Sequence, residues 1–293
     1  VFVKGADSEE FQEEEAALAA SGGRIHFTND PVFSSSKLIN QYLTTAPVET
    51  RLFLQEFQKK HSYDDVVAAI DSVGKMKALV IGEAIIDEYR YVRSMGKSAK
   101  ENLVAFRYDD SELFAGGVVA CANHTAGFVE KVDMLTVLGR KDPQDEFIVS
   151  KLKSNVVPRF FYREDAPTVR KTRYVDPFMN KLFSVYHFND EPLPNELDAD
   201  LRAWLEQHLS EYDFVIALDY GHGMLSASTI DLLSRKSRFL AVNTQTNAAN
   251  TGFNPITKYP HADFICIDEP EIRIAAGDRV TLDMVGDGLI NVY

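Results

Sequence analysis

Phe214-Val215-Ile216-Ala217-Leu218-Asp219-Tyr220-Gly221-His222-Gly223 is the stretch on which the fold turns. Five apolar residues in a row predict a strand buried on both faces, and the polar turn after it is punctuated by two glycines. The same pattern recurs on either side. Downstream, a helix is expected over Ser226–Ser234, strands over Phe239–Val242 and Phe264–Ile267, and a helix from Glu269 to Ala276. Upstream, a helix covers about Asn195–Leu209. Before it lie a short apolar strand at Ala78–Ile81 closed by Gly82, a helix from Gly117 to about Phe128, a strand at Val132–Leu138 and a helix from about Pro143 to Ser154. Strand–helix alternation with buried strands predicts an α/β fold with a doubly wound, mostly parallel sheet. Such sheets bind ligands beyond the carboxyl ends of their strands. The residues to inspect are therefore Gly82–Asp87, Gly139–Asp142, Asp219–Gly223, Asn243–Asn247 and Asp268–Glu271.

Four further stretches, Tyr89–Val92, Leu103–Tyr108, Val169–Tyr174 and Leu182–Phe188, alternate apolar with charged residues. They predict strands with one wet face, hence a small antiparallel sheet projecting from the main domain. Before residue 76 the pattern differs. A strand is expected at Val1–Lys4, an acidic helix from Ser8 to about Ala20 and a strand at Arg24–Thr28, followed by a serine run that opens another helix. Residues 51–75 read as helical, with a polar connector at Gln58–Asp64. Three parts follow: 1–50, a helical linker 51–75, and a large domain 76–293. The chain starts and stops within strand-like runs, VFVKG and LINVY, so a longer parent protein is expected.

Charge narrows the partners. The 293 residues hold 31 basic and 44 acidic side chains, a net charge of −13, which repels phosphate backbones and anionic membranes. Nucleic acid and membrane are not expected as partners, and no run of 18 apolar residues is present to span a bilayer. Cys121 and Cys266 lie in apolar runs and read as reduced thiols, which suits a cytoplasmic location. The histidines show no tight ligand spacing, so no zinc site is expected.

The motifs each admit a plain alternative. Asp87, five residues past Gly82, suits binding of adjacent sugar hydroxyls, or is a solvated turn residue. Gly116-Gly117 before a small-residue helix carrying Asn123 can offer free N–H groups to a ligand, or only allow close packing. Lys171 and Arg173 share one face of a strand, with Arg170 on the other; the pair can receive an anion or simply face water. Asp219 and His222 can reach a phosphate or a substrate hydroxyl, or be structural in a glycine turn. The loop with Asn243, Gln245, Asn247, Asn250 and Asn254 is rich in neutral donors and acceptors, as are many turns. Asp268 and Glu271 stand where Mg²⁺ can be held through water, or are dipole partners of a helix start.

Taken in order, Gly82…Asp87, Gly116-Gly117, Asp219–Gly223 and Asp268…Glu271 resemble the ribokinase (PfkB) family of carbohydrate kinases over about residues 77–280. The resemblance is nearest to the heptose-phosphate kinase half of bifunctional ADP-heptose synthases. Val3–Asp7, Gly22-Gly23 and Ser34-Ser35-Ser36-Lys37-Leu38-Ile39 look like the closing part of their nucleotidyltransferase half. The resemblance implies a ribokinase-like domain with a β-sheet lid, using ATP and Mg²⁺ to phosphorylate a sugar or sugar phosphate. It implies that Asp87, Gly116, Gly117 and Asn123 line the sugar pocket, with Lys171 and Arg173 on its anionic end. Asp219, His222, Asn243 and Gln245 would approach the phosphates, Asp268 and Glu271 the metal, and Ser34, Ser35 and Ser36 the transferase nucleotide. It also implies a homodimer through the lid sheet.

The sequence departs from that pattern in several places. Glu83 replaces a common Asp, Ala120 an Asn, His222 a Lys and Asp268 an Asn. The catalytic Gly-Ala-Gly-Asp loop is expected beyond Tyr293, because Ala275–Asp278 lies only four residues past Glu271; the catalytic residue is thus not named. The alternative is a degenerate, non-catalytic kinase fold acting as a sugar- or nucleotide-binding or dimerisation module. An NAD-dependent enzyme is disfavoured, since no G-x-G-x-x-G follows the first strand of the domain.

Overall fold

The computed structural model describes residues 2–5, 20–28, 47–247 and 250–277. The helix expected from Ser8, the run Ser34–Ser36, Asp278 and the LINVY segment lie outside the described residues. The chain forms two compact units, Val1–Val66 and Val67–Tyr293.

In the first unit, β1 (Phe2–Gly5) pairs in parallel with β2 (Ile25–Thr28). Helix α1 (Val48–Lys60) ends at His61 and α2 (Tyr63–Ser72) begins two residues later, so the connector is shorter than expected. A capping box sets the restart: the Ser62 hydroxyl accepts the Asp65 N–H at 3.1 Å, and the Asp65 carboxylate accepts the Ser62 N–H at 2.8 Å. The division between the units falls inside α2.

The second unit runs β3 (Lys77–Gly82), β4 (Ala84–Lys97), β5 (Val104–Gly117), α3 (Val118–Thr125), β6 (Lys131–Gly139), α4 (Asp145–Lys151), β7 (Val156–Arg163), β8 (Val169–Val175) and β9 (Lys181–His187). It continues with α5 (Asn195–His208), β10 (Phe214–Asp219), α6 (Ala227–Lys236), β11 (Leu240–Thr244), β12 (Phe264–Ile265) and α7 (Glu269–Ala276). A six-stranded sheet has the order β12-β11-β10-β3-β6-β7, every neighbouring pair parallel. Its central strand shows why helices cover both faces. Leu79 and Ile81 pack with Leu201, Leu205 and Leu233 of α5 and α6, while Ala78 and Val80 pack with Val118, Ala122 and Ile148 of α3 and α4. Successive side chains of a strand point to opposite faces, so one apolar run feeds two cores. After β3 the chain builds outward first through β6 and β7, then on the other side through β10, β11 and β12. The crevice lies where these directions part, at the carboxyl ends of β3 and β10.

The second sheet has the order β5-β4-β8-β9. It corrects the antiparallel expectation: β4 and β8, its central pair, run parallel. The reason is connectivity, since β8 arrives from the far edge of the main sheet and not through a hairpin. Strands β4 and β5 are 14 residues each, far longer than the alternation predicts, because register shifts at Tyr91/Val92 and Ser94/Gly96 break the period. Strand β7 is absent from the sequence expectation. Pro158 argues against a strand, yet β7 is an edge strand, where a missing N–H is tolerated.

Candidate functional site

Asp87 is not a solvated turn residue, its plain alternative, but lies inside β4, opposite Lys171 of β8. Its carboxylate accepts a hydrogen bond from Nη1 of Arg173, so one of the two predicted cations is already paired. Gly116 lies beside it. A Cβ there would come within 2.5 Å of Asp87 Oδ2, so the glycine makes room for the carboxylate. Gly117 takes φ 60° and caps α3, but the first N–H of that helix is already donated to the Glu83 carbonyl at 3.0 Å. The glycine pair therefore allows close approach of Asp87 and the Glu83 carbonyl, and this N–H is not free for a ligand. Asn123 points elsewhere: its amide donates to the Lys151 carbonyl and accepts the Lys153 N–H, both at 2.8 Å, and ties α3 to the end of α4. Arg170, on the other face of β8, pairs with Asp142 at 2.7 Å.

Lys171 is unusual. It is 7% exposed, yet has neither a hydrogen bond nor an ion pair. Its Nζ stands 5.7 Å from the ring centre of Tyr186 and 6.0 Å from that of Tyr220. Burial holds its pKa below the ordinary lysine value, with Asp87 opposing, Arg173 reinforcing and Glu83 opposing. Tyr220, which the sequence reading passed over, joins this group to the next strand. Its phenol is pushed up to about 12 by burial, with Cys121, Glu83 and Asp87 nearby.

Strand β10 delivers the rest. Asp219 is 1% exposed, and its carboxylate is turned inward: Oδ2 accepts from the Tyr259 hydroxyl at 2.9 Å and pairs with Lys258 at 2.5 Å, while Oδ1 accepts the Gly221 N–H at 3.1 Å. In this arrangement Asp219 ties Tyr259, Lys258 and the Gly221 N–H together. The amide-rich loop closes over it. The Asp219 carbonyl accepts from the Gln245 N–H at 2.9 Å and from Asn254 at 2.8 Å, and the Tyr220 carbonyl accepts from Asn247 and Asn250. Asn243 donates to the Cys266 carbonyl at 2.6 Å and bridges β11 to the residue after β12. The Gln245 side chain is exposed. A cavity of about 330 Å³ opens beside this loop, between Gly221, Gly223, Asn250, Asn254 and Lys258.

At the end of β11, Thr246 donates its N–H to Glu271 Oε1 at 3.0 Å. Glu271 Oε2 and Thr244 Oγ1 are buried without partners. Asp268 is exposed ahead of α7. Among the described residues, no three acidic, histidine or cysteine side chains cluster as a metal cage.

A chain of neighbours thus runs along the sheet rim from Asp87 through Lys171, Tyr220, Asp219, Gln245 and Thr246 to Glu271. The His222 ring lies tilted against Phe188, ring centres 4.9 Å apart, and neither ring nitrogen has a partner among the described residues. Burial pulls its pKa down to about 4, and Lys171 adds to that. Glu83, which hydrogen-bonds the same loop, is pushed up to about 7 by burial, with the Asp219 charge second.

These two shifts act on stability with opposite sign. Glu83 binds its proton more tightly when folded, so its contribution is full below about pH 4.5 and is lost as pH rises to about 7. His222 binds its proton less tightly when folded, so its contribution is full above pH 6.5 and is lost as pH falls to about 4. Calorimetric melting of Glu83→Gln should show stability rising from pH 4 to 6.5, and of His222→Asn falling from pH 4.5 to 7. Slopes of the same sign in the two variants would contradict this account.

No protein-family model matches the chain. The bifunctional protein HldE of Trichlorobacter lovleyi is 26% identical over 221 residues, which is 74% of this chain and 44% of that protein. The chain thus spans less than half the length of this curated relative. Among solved structures, Giardia lamblia ribokinase superposes with a TM-score of 0.54 at 16% identity, covering 74% of this chain and 70% of that one. An Arabidopsis thaliana ribokinase complexed with ribose and ATP superposes with a TM-score of 0.50 at 13% identity, covering 74% and 68%. The six-stranded parallel sheet, the separate mixed sheet and these likenesses lead to one conclusion: the chain has the fold of the ribokinase-like carbohydrate kinases and is a distant relative of the HldE proteins.

Proposed function

We propose that the second unit is a sugar-kinase-like domain that takes an anionic sugar, a sugar phosphate of the heptose-phosphate class, as acceptor and ATP·Mg²⁺ as phosphoryl donor. The parent would be a bifunctional kinase and nucleotidyltransferase of sugar-nucleotide synthesis, with Ser34, Ser35 and Ser36 serving the transferase nucleotide. The observation that carries the reading is Lys171, a buried ammonium across from Asp87 that has no hydrogen bond or ion pair among the described residues. A buried charge is costly unless something pairs with it, and a phosphate entering between Tyr186 and Tyr220 supplies the pair.

The remaining groups fit the donor. The orphaned Thr244 hydroxyl and Glu271 oxygen are buried acceptors that a nucleotide phosphate's hydrated cation can use. Glu271 and Asp268 would hold Mg²⁺ through water, which neutralises charge on the transferred group. Asp87 would accept hydrogen bonds from sugar hydroxyls, and Arg173 would hold it oriented. The test is release of ADP from ATP·Mg²⁺ with heptose and hexose phosphates, alongside calorimetric titration of the same sugars. Asp87→Ala should abolish sugar-phosphate binding and turnover together. Binding without turnover would favour a second reading, a non-catalytic sugar-binding module; the neutral His222, where related kinases carry Lys, is the observation in its favour.

A homodimer through the second sheet belongs to the same proposal. All seven residues of β9 are exposed, including Leu182, Phe183, Val185 and Tyr186, and β5 exposes Phe106, Tyr108 and Phe114. An uncovered apolar sheet of this extent marks an interaction surface. Sedimentation should give a dimer that Phe183→Asp converts to monomer; an unchanged dimer would exclude this face.

A further inference from the structure

The turn from β3 into β4 is made by Glu83, whose buried carboxylate uses both oxygens on backbone far along the chain. Oε2 accepts the Tyr220 N–H at 3.0 Å and Oε1 accepts the His222 N–H at 3.1 Å, across 137 and 139 positions. Its carbonyl accepts the Val118 N–H that starts α3. A side chain at Gly117 would collide with that carbonyl. One residue therefore joins the β3–β4 turn, the start of α3 and the loop after β10.

Apart from the Gly221 N–H, which Asp219 Oδ1 accepts, the loop's remaining anchors lie on its carbonyl side. Asn247 and Asn250 hold the Tyr220 carbonyl, and Gln245 and Asn254 hold that of Asp219. The N–H groups of Tyr220 and His222 depend on Glu83. Nothing else nearby takes over: a void of about 20 Å³ lies beside the carboxylate, His222 and Arg163, and both His222 ring nitrogens are unpartnered. Losing an acceptor leaves a buried donor unsatisfied.

We infer that Glu83 is a positioning residue: its two backbone bonds hold the Tyr220–His222 loop so that the Tyr220 ring lies against the Lys171 ammonium, which shapes the cation that an anionic ligand meets. The ligand clause rests on the function proposed above; the clamp itself does not. The experiment uses the full 293-residue chain, with residue-resolved amide exchange and calorimetric titration of a hexose 6-phosphate. Glu83→Gln is isosteric and replaces one acceptor by a donor. It should speed exchange at the Tyr220 and His222 amides about tenfold or more, one such step being ~1.4 kcal/mol, and leave the Val80 and Val215 amides unchanged. Glu83→Asp keeps the charge and should restore part of the protection. Affinity for the hexose phosphate should fall by about the same factor in Glu83→Gln and recover in step in Glu83→Asp. Unchanged exchange at the two amides overturns the clamp. Faster exchange with full affinity overturns the positioning role. If the unaltered chain binds no sugar phosphate but Glu83→Gln still frees the two amides, the clamp stands and the sugar-phosphate reading falls.

Discussion

Replacing Lys171 by methionine should make the protein more stable and bind sugar phosphate far more weakly. The two effects share one cause. The Lys171 ammonium lies 5.7 Å from the ring centre of Tyr186 and 6.0 Å from that of Tyr220, taken from water without a hydrogen bond or ion pair among the described residues. Methionine fills nearly the same volume and needs neither. Exchanging buried charge for apolar volume is often stabilising by about 1–4 kcal/mol; here Asp87 and Glu83 already favour the charged form, so the low end applies. For a domain of this size that is a rise of roughly 2–4 °C in melting temperature. Affinity should move the other way. A phosphate paired with this ammonium would lose a charge-assisted bond of about 1.5–3 kcal/mol, or roughly 10- to 150-fold. Affinity for the corresponding neutral sugar should change little. Scanning calorimetry and titration of both sugars decide it. A lower melting temperature, with equal loss for phosphate and neutral sugar, would mean that Lys171 braces Asp87 and Glu83 and serves no ligand.

How much of this could be read beforehand depended on what each residue had to satisfy. The buried strands were legible because both faces of the sheet are covered: Ala78–Ile81 and Phe214–Leu218 had to be apolar throughout. Strand β7 was not, because an edge position tolerates Pro158, and tolerance leaves no signal. The full length of β4 and β5 was hidden by the bulges that shift their alternation. In the site, the period of two correctly separated Lys171 and Arg173 from Arg170. Spacing could not say that Arg173 would be used up by Asp87 while Lys171 stayed free, since that depends on register across β4 and β8. The partners of Asn123 were hidden for a related reason: a helix has several faces, and this amide bonds to the end of α4. Glu83 and Tyr220 were nearly invisible, because their roles lie in a contact between segments 137 residues apart.

Asp219 carries the largest stability effect. Its carboxylate is the meeting point of Lys258, the Tyr259 hydroxyl and the Gly221 N–H, and its carbonyl takes Gln245 and Asn254. Asp219→Ala leaves the Tyr259 hydroxyl buried without this partner and Lys258 with only the Asn254 amide. Removing one member of such a pair typically costs about 3–5 kcal/mol, so the melting temperature should fall by roughly 10 °C. The damage comes from the partner left behind, so it should be repairable. Lys258→Met, added to Asp219→Asn, removes the stranded cation and keeps an acceptor for Tyr259. That double variant should recover most of the lost stability, a coupling that a double-mutant cycle reads directly. The Asp219 charge also helps to push Glu83 upward, so Asp219→Asn should lower the pH at which Glu83 titrates. A carboxylate that instead served the transferred phosphate would behave otherwise. Asp219→Ala would then melt close to the unaltered protein, and adding Lys258→Met would restore nothing.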